Sequence, residues 1–197
     1  MLITRLEAVN GKKYRVYLND APAFLLYSSE VSRYCLKEGQ ELDENQEKEI
    51  YSAVLSKRAK LRCMNLLKTM DKTEEQLRQK LRQGEYPEPV IEEALEYVKH
   101  YHYVDDLRYA RNYIDSRKDT KSRQQIRYDL LGRGISEDII IQAWEETDPV
   151  DEMALILRWK EKKGFDPASA DQKETQRFYQ FLLRKGFSYP DIKKALT

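Results

Sequence analysis

Residues 122–144 read SRQQIRYDLLGRGISEDIIIQAW, and this stretch decides the fold. Ile126 and Leu130 stand four residues apart, so on a helix they share one face. Ser122 precedes them as an N-cap, and Gln125 three residues later completes the spacing of a capping box. Gly134 follows the run, where a chain leaving a helix often needs a left-handed backbone. Ile135, Ile140 and Ala143 then supply a second apolar stripe. Two short helices joined by a glycine turn are predicted.

The same pattern occurs twice more. TEEQLRQKLRQGEYPEPVIEEAL (73–95) and DQKETQRFYQFLLRKGFSYPDIKKAL (171–196) align with it on Ala94, Ala143 and Ala195. Leu77, Ile126 and Phe178 coincide, as do Leu81, Leu130 and Leu182. Tyr86, Ile135 and Phe187 match, and so do Ile91, Ile140 and Ile192. The caps Thr73, Ser122 and Asp171 each have Gln or Glu three residues on. Gly134 and Gly186 coincide, but the first copy carries Glu85 there, with Gly84 one position early, so its turn is expected to differ. An amphipathic segment precedes each pair: RAKLRCMNLLKTM, DDLRYARNYIDSR and PVDEMALILRWKEKK. Three three-helix repeats are therefore expected, at 57–104, 105–147 and 148–197. So short a period requires neighbours to share a core, giving an elongated or curved, solenoid-like tandem array with a concave side.

Residues 1–56 read differently. LITRLEAV and KKYRVYL are β-prone runs joined by Asn10-Gly11, a pair that favours a tight hairpin turn. FLLYSSEVSRYCL suggests a third strand running into a short helix. Asp43, with Gln46 three residues on, marks the start of another helix. The fold class is thus mainly α, with a small N-terminal β-hairpin/α extension.

Composition agrees. Charged residues are 35% and hydrophobic residues 41% of the 197, which suits a heavily solvated helical protein better than a compact α/β enzyme. No apolar run is long enough to cross a bilayer, and MLITRLEAVNGKK lacks the apolar region of a signal peptide. Cys35 and Cys63 are isolated, which argues against a disulfide framework or a zinc motif. A cytoplasmic protein is expected. The net charge of +1 conceals a division. Residues 57–133 hold 18 Lys/Arg against 13 Asp/Glu, and residues 134–170 hold 4 against 9. A basic middle beside an acidic stretch suggests a surface for polyanions; solvated helix faces would give the same counts.

HYHYVDDLRYARNYI (100–114) raises the question of catalysis or metal binding. His100 and His102 are two apart at a helix end, whereas ligand pairs on a helix sit three or four apart. Asp105 and Asp106 fall at the start of a repeat's first helix. There the first accepts orphan N–H groups and the second favours the positive end of the helix dipole. Val104 is expected to pack on Tyr109 as a staple. Capping accounts for both carboxylates, so neither catalytic residues, metal site nor cofactor are assigned.

The same residues carry a resemblance. YHYVDDLRYARNYI resembles the Asp-Asp-x-x-aromatic-Ala-x-x-Tyr signature of the RecX family, and IRYDLLGRGISEDII (126–140) is similar to that family's next segment. The likeness spans about residues 57–197, including three three-helix units. It departs at Lys121-Ser122, where members often carry a Gly. The hairpin-bearing N-terminus is similar to extensions seen only in some members. The resemblance implies a monomeric, non-enzymatic regulator that binds RecA recombinase filaments on single-stranded DNA. It further implies inhibition of their ATPase, strand exchange and coprotease activity, in DNA recombination, repair and SOS control, with single- or double-stranded DNA as a further partner.

On the residues alone, Arg123 and Arg127 lie to one side of the Ile126–Leu130 stripe, with Lys121 near the cap. A cation there opposes the helix dipole and needs another reason for its place. Arg78 and Arg82 occupy the matching side one repeat earlier, and Arg117 and Lys118 lie in a loop. These seven are the candidate partner- or DNA-binding residues, set against ordinary solvated charge. Tyr109, Tyr113 and Tyr128 fit core or rim packing better than base stacking. A helical DNA-binding module acting independently of RecA, and a structural scaffold, remain open beside the resemblance.

Overall fold

The structure, a computed structural model, describes residues 1–196. It is mainly helical and divides into two compact units, Met1–Asp105 and Asp106–Thr197. The first unit opens with strands β1 (Ile3–Asn10), β2 (Lys13–Leu18) and β3 (Ala21–Tyr27), antiparallel in the order β1-β2-β3. Asn10 pairs with Lys13, so the first turn is Gly11-Lys12, one residue later than expected. The Asn10 side chain instead closes the turn by accepting the Lys12 N–H at 3.2 Å. The second turn, Asn19-Asp20, takes φ of 47° and 66°, the left-handed pair that matches strand twist in a two-residue hairpin.

β3 runs directly into α1 (Ser28–Arg33). α2 (Glu44–Glu49), a π-helical segment (Ile50–Ser56) and α3 (Lys57–Leu67) then follow without a break, so the expected division at residue 56 falls inside a continuous helix. The wider π turn spaces Ile50, Leu55, Ala59 and Cys63 onto one buried face. α4 (Glu74–Arg82) and α5 (Glu88–His100) complete the unit. Val16, Phe24 and Leu26 of the sheet join Leu77, Leu81, Ile91 and Leu95 in one apolar cluster. Each such side chain contributes about 1.5–3 kcal/mol by leaving water. The N-terminal segment and the first repeat are thus one core.

The second unit holds α6 (Asp106–Arg117), α7 (Arg123–Leu131), α8 (Glu137–Glu145), α9 (Glu152–Lys163), α10 (Gln172–Arg184) and α11 (Tyr189–Leu196). Ala110, Ile114, Ile126, Leu130, Ile140 and Ala143 form one cluster. Leu155, Ile156, Phe178, Leu182, Phe187 and Ile192 form another. Among the described residues, only the half-buried Val150 packs against both. The shared core expected of neighbouring repeats is therefore nearly absent here, because each three-helix unit fills its own interior.

Polar contacts join these two repeats instead. Ser122 is fully buried; its hydroxyl accepts the Gln125 N–H at 3.2 Å and donates to the Lys185 carbonyl at 2.6 Å. The Arg123 N–H, at the first turn of α7, donates to Glu152 of α9 at 2.7 Å. Arg158 reaches the Asp119 carbonyl at 2.6 Å. Thr73 and Asp171 form the complete capping boxes expected of them. Ser122 makes only the forward half, accepting the Gln125 N–H, while its hydroxyl proton is separately donated to the Lys185 carbonyl.

The turn between second and third helices is the same in all three repeats. Tyr86, Ile135 and Phe187 donate back to the carbonyls of Leu81, Leu130 and Leu182 at 3.2–3.3 Å, the long bond of a Schellman ending. Gly134 and Gly186 adopt φ of 81° and 83°, and Glu85 adopts 55°. The expectation that the first turn differs is therefore corrected. Glu85 takes the strained left-handed backbone itself, and Arg15 of β2 grips its carboxylate through two bonds of 2.6 and 2.7 Å. Gly84 serves a separate need, since a Cβ there would stand 2.9 Å from the Tyr86 ring.

The Arg15 guanidinium holds the Glu85 carboxyl below its ordinary value of 4.5. A depressed carboxyl pKa stabilises the fold above the unfolded value, and that contribution disappears as pH falls through the folded value. The stability advantage of the parent over Arg15→Ala should therefore be largest near pH 7 and shrink below pH 4.5. Urea unfolding at both ends of that range measures it; an advantage independent of pH would contradict the assignment.

At the second junction, Ser122→Ala should cost about 1–3 kcal/mol through the lost cap and an unsatisfied carbonyl. Gly186→Ala should cost about 1–2 kcal/mol from its left-handed backbone alone. Its Cβ would also meet Ser122 Oγ at 2.7 Å. A double-mutant cycle should therefore show Gly186→Ala costing less in the Ser122→Ala background than in the parent.

Candidate partner-binding surface

The candidate cations occupy two settings, one in each unit. On α4, Leu77 and Leu81 point into the core, which leaves Arg78 and Arg82 on the outer flank. Arg78 is only 17% exposed, held by Glu92 of α5 and by Glu74 at 3.1 Å. Arg82, 51% exposed, makes a forked pair with Glu88 at 2.7 and 3.3 Å. Both guanidiniums are shifted further up by these bonds, chiefly to Glu92 and Glu88. They clamp α4 to the start of α5.

In the second unit the loop from α6 to α7 brings several cations around Tyr113. Its hydroxyl donates to Asp129 at 2.8 Å, and Lys121 binds the same carboxylate at 2.5 Å. Asp129, nearly two turns into α7, is the reason for a lysine near that helix start. Arg117 lies 5.8 Å and Arg133 4.6 Å from the Tyr113 ring centroid. Lys118 pairs with Asp115 at 3.1 Å and Asp148 at 2.9 Å. Arg127 binds Glu137 of α8 at 2.7 Å, and the Arg123 guanidinium sits 5.0 Å from the Trp144 ring.

Five of the seven candidates therefore already have carboxylate partners. Arg117 and Arg123 form no ion pair among the described residues. Among the pairs of the other five, Arg82–Glu88 is exposed on both sides. An exposed ion pair contributes little to stability, so exchanging that carboxylate for an incoming phosphate costs little. The other four cations are more covered. Tyr109 and Tyr113 pack against the second core, as expected of rim residues, while Tyr128 stands 61% exposed beside Arg127. Arg133 escaped the sequence reading because its ring partner lies twenty residues away in a different helix, and no local spacing signals such a pair.

The aspartate pair lies elsewhere. α6 begins at Asp106, which puts Asp105 at the N-cap position. Val104 is buried in the first unit's core, and Tyr109 packs on the second core. Among the described residues, no three His, Cys, Asp or Glu gather as a metal site, and no helix is long and apolar enough to cross a membrane. Asp105→Ala should cost about 1 kcal/mol of stability, and chelators should leave the parent's melting curve unchanged. Stoichiometric divalent metal bound by the parent and lost in the variant would refute the capping assignment.

Comparison with known proteins covers this surface and most of the chain. Residues 59–97 match the RecX first three-helix domain, 105–143 the second and 151–196 the third. The regulatory protein RecX of Caldanaerobacter subterraneus subsp. tengcongensis is 32% identical over 200 residues, spanning 100% of this chain and 99% of its own. That of Clostridium botulinum strain Eklund 17B is 31% identical over 98% of this chain and 94% of its own. A crystal structure of regulatory protein RecX aligns with a TM-score of 0.68 at 27% identity, covering 99% and 98% of the two chains. RecX from Lactobacillus salivarius shares the fold over 73% of this chain and 95% of its own, at a TM-score of 0.61 and 23% identity. With all three domains matched in order and a third of its residues shared end to end, the chain belongs to the RecX family of regulatory proteins.

Proposed function

We propose that this chain regulates the RecA recombinase by binding RecA filaments on single-stranded DNA and slowing their ATPase, strand exchange and coprotease activity. The observation that carries this reading is the ordered match of three RecX domains from residue 59 to residue 196. The cation–tyrosine surface of α6 and α7 supports it. Arg117 and Arg123 offer exposed guanidiniums in no ion pair among the described residues, and Lys118, Lys121 and Arg127 hold their carboxylates in half-buried pairs beside them. On the first unit, Arg78 is too covered to reach a partner without releasing Glu92, so Arg82 is the more accessible of that pair. The same reading makes the protein a cytoplasmic monomer without cofactor or reaction of its own, with DNA touched directly through the phosphates.

The test is a titration onto RecA filaments assembled on single-stranded DNA, read by ATPase rate and strand exchange. Both rates should fall at substoichiometric protein. Arg117→Ala with Arg123→Ala should fold normally, since exposed charges change stability by about 0.5 kcal/mol or less. That variant should bind filaments more weakly, with a salt slope shallower by roughly 1.4 if both residues contact phosphates on a single strand. Unchanged rates at molar excess over RecA would sink the proposal. Binding to oligonucleotides with no effect on RecA would establish the independent DNA-binding module instead.

A further inference from the structure

We propose that a cleft in the first unit, between the N-terminal sheet and the first repeat, is a binding site for an oligophosphate anion, such as the phosphate chain of a nucleotide. The cleft encloses about 540 Å³, within the range of about 300–1,000 Å³ typical of small-ligand sites. Lys13 and Tyr27 contribute from β2 and β3, Arg58 and Arg62 from α3, and Lys80 and Tyr86 from α4 and its following turn. Four cations thus line one cleft, and no acidic side chain among the described residues lines it.

The four are not alike. Arg58 forms the floor: it binds Glu30 at 2.9 Å and the Leu25 carbonyl at 2.5 Å. Its guanidinium lies 5.0 Å from the Tyr27 ring centroid and 5.7 Å from that of Tyr86. Those contacts hold it in place and partly neutralise it. Lys13, Arg62 and Lys80 pair with no carboxylate among the described residues. Lys13 lies over the Tyr27 ring at 5.4 Å and feels the Glu85 carboxylate only from beyond ion-pair distance, and Lys80 reaches the Gln83 amide at 3.0 Å. Five cations elsewhere in the same unit are treated otherwise, although Lys12, Lys57, Lys68 and Lys72, which line no common cleft with one another, are also in no ion pair among the described residues. Arg15, Lys60, Arg78, Arg82 and Lys99 each have a carboxylate within 3 Å.

Three positive charges outside any ion pair, set around one concavity, repel each other and focus a positive potential into it. A ligand carrying several negative charges in a short span relieves that repulsion, and a phosphate chain has that charge density. The neighbouring groups favour a nucleotide over an acidic peptide. The Tyr27 ring is 38% exposed, and the Asn65 and Gln83 amides line the same walls, offering contacts to a base or sugar. Leu61 is the one aliphatic side chain lining the cleft, too little for the apolar anchors that fix a peptide. Nothing in this assignment rests on the RecA reading, and it survives or fails separately from it.

The phosphate chain has two natural sources, a free nucleoside triphosphate or a strand of nucleic acid. Calorimetric titration at low salt with inorganic triphosphate, ATP, a short oligo(dT) and a hexaglutamate peptide tests the site and separates them. Triphosphate should bind one per chain, and Arg62→Ala with Lys80→Ala should weaken it about tenfold or more, as loss of two charge-assisted contacts implies. Lys173→Ala with Lys194→Ala, which removes equal charge from the third repeat, should leave the affinity unchanged. Thermal melting of each variant verifies the fold, and Lys13→Ala provides an independent second lesion in the cleft. Displacement of triphosphate by oligo(dT) supports the site with a strand as its source, and ATP binding that oligo(dT) leaves intact supports it with a free nucleotide. Absence of triphosphate binding, equal weakening by the control variant, or binding of hexaglutamate alone would overturn the proposal.

Discussion

The left-handed residue between the second and third helices of each repeat, at positions 85, 134 and 186, is the constraint on which the rest of this structure depends. Each lets a helix end and the next begin within a few residues. The reversal places the second apolar stripe, Ile91, Ile140 or Ile192, against the first. The tight turn does more than reverse the chain. At Glu85 it carries a carboxylate to Arg15, which ties the N-terminal sheet to the first repeat. At Gly186 the missing side chain admits the Ser122 hydroxyl to the Lys185 carbonyl, which ties the second repeat to the third. The same backbone geometry is thus joined once by charge and once by a buried hydroxyl.

That economy has a thermodynamic consequence. A glutamate at positive φ costs on the order of 1 kcal/mol more than a glycine would. The Arg15 fork offsets this by making the strained residue an anchor. The junction between the second and third repeats has little shared apolar area, Val150 apart, so its stability rests on a few hydrogen bonds at the start of α7. Such junctions open more readily than a continuous core.

Charge in this protein divides by role. Arg78, Arg82 and Arg127 join second to third helices within their repeats through glutamates at 92, 88 and 137. Lys121 and Tyr113 share Asp129 across the α6–α7 corner. Arg117 and Arg123, and in the first unit Lys13, Arg62 and Lys80, carry charge that this intramolecular pairing does not use. A basic residue count cannot separate these classes, because pairing depends on which carboxylate the fold delivers.

The sequence alone determined the three repeats, their caps and their buried positions, because helix periodicity, capping and side-chain size act over a few residues. Leu77, Ile126 and Phe178 were legible for that reason, and so were Thr73 and Asp171 as capping-box residues. The Asp105-Asp106 pair was likewise legible as a helix start, since α6 begins where the sequence places it. Only the tertiary structure decided what Glu85 does, since its strain is tolerated through Arg15, seventy residues away. Only the tertiary structure gave Ser122 its second bond, Lys121 its carboxylate and Val104 its place in the first core. The cation–tyrosine surface was readable as residue types but not as geometry. Each of these outcomes depends on groups brought together by packing, and no local spacing encodes a neighbour that arrives through space.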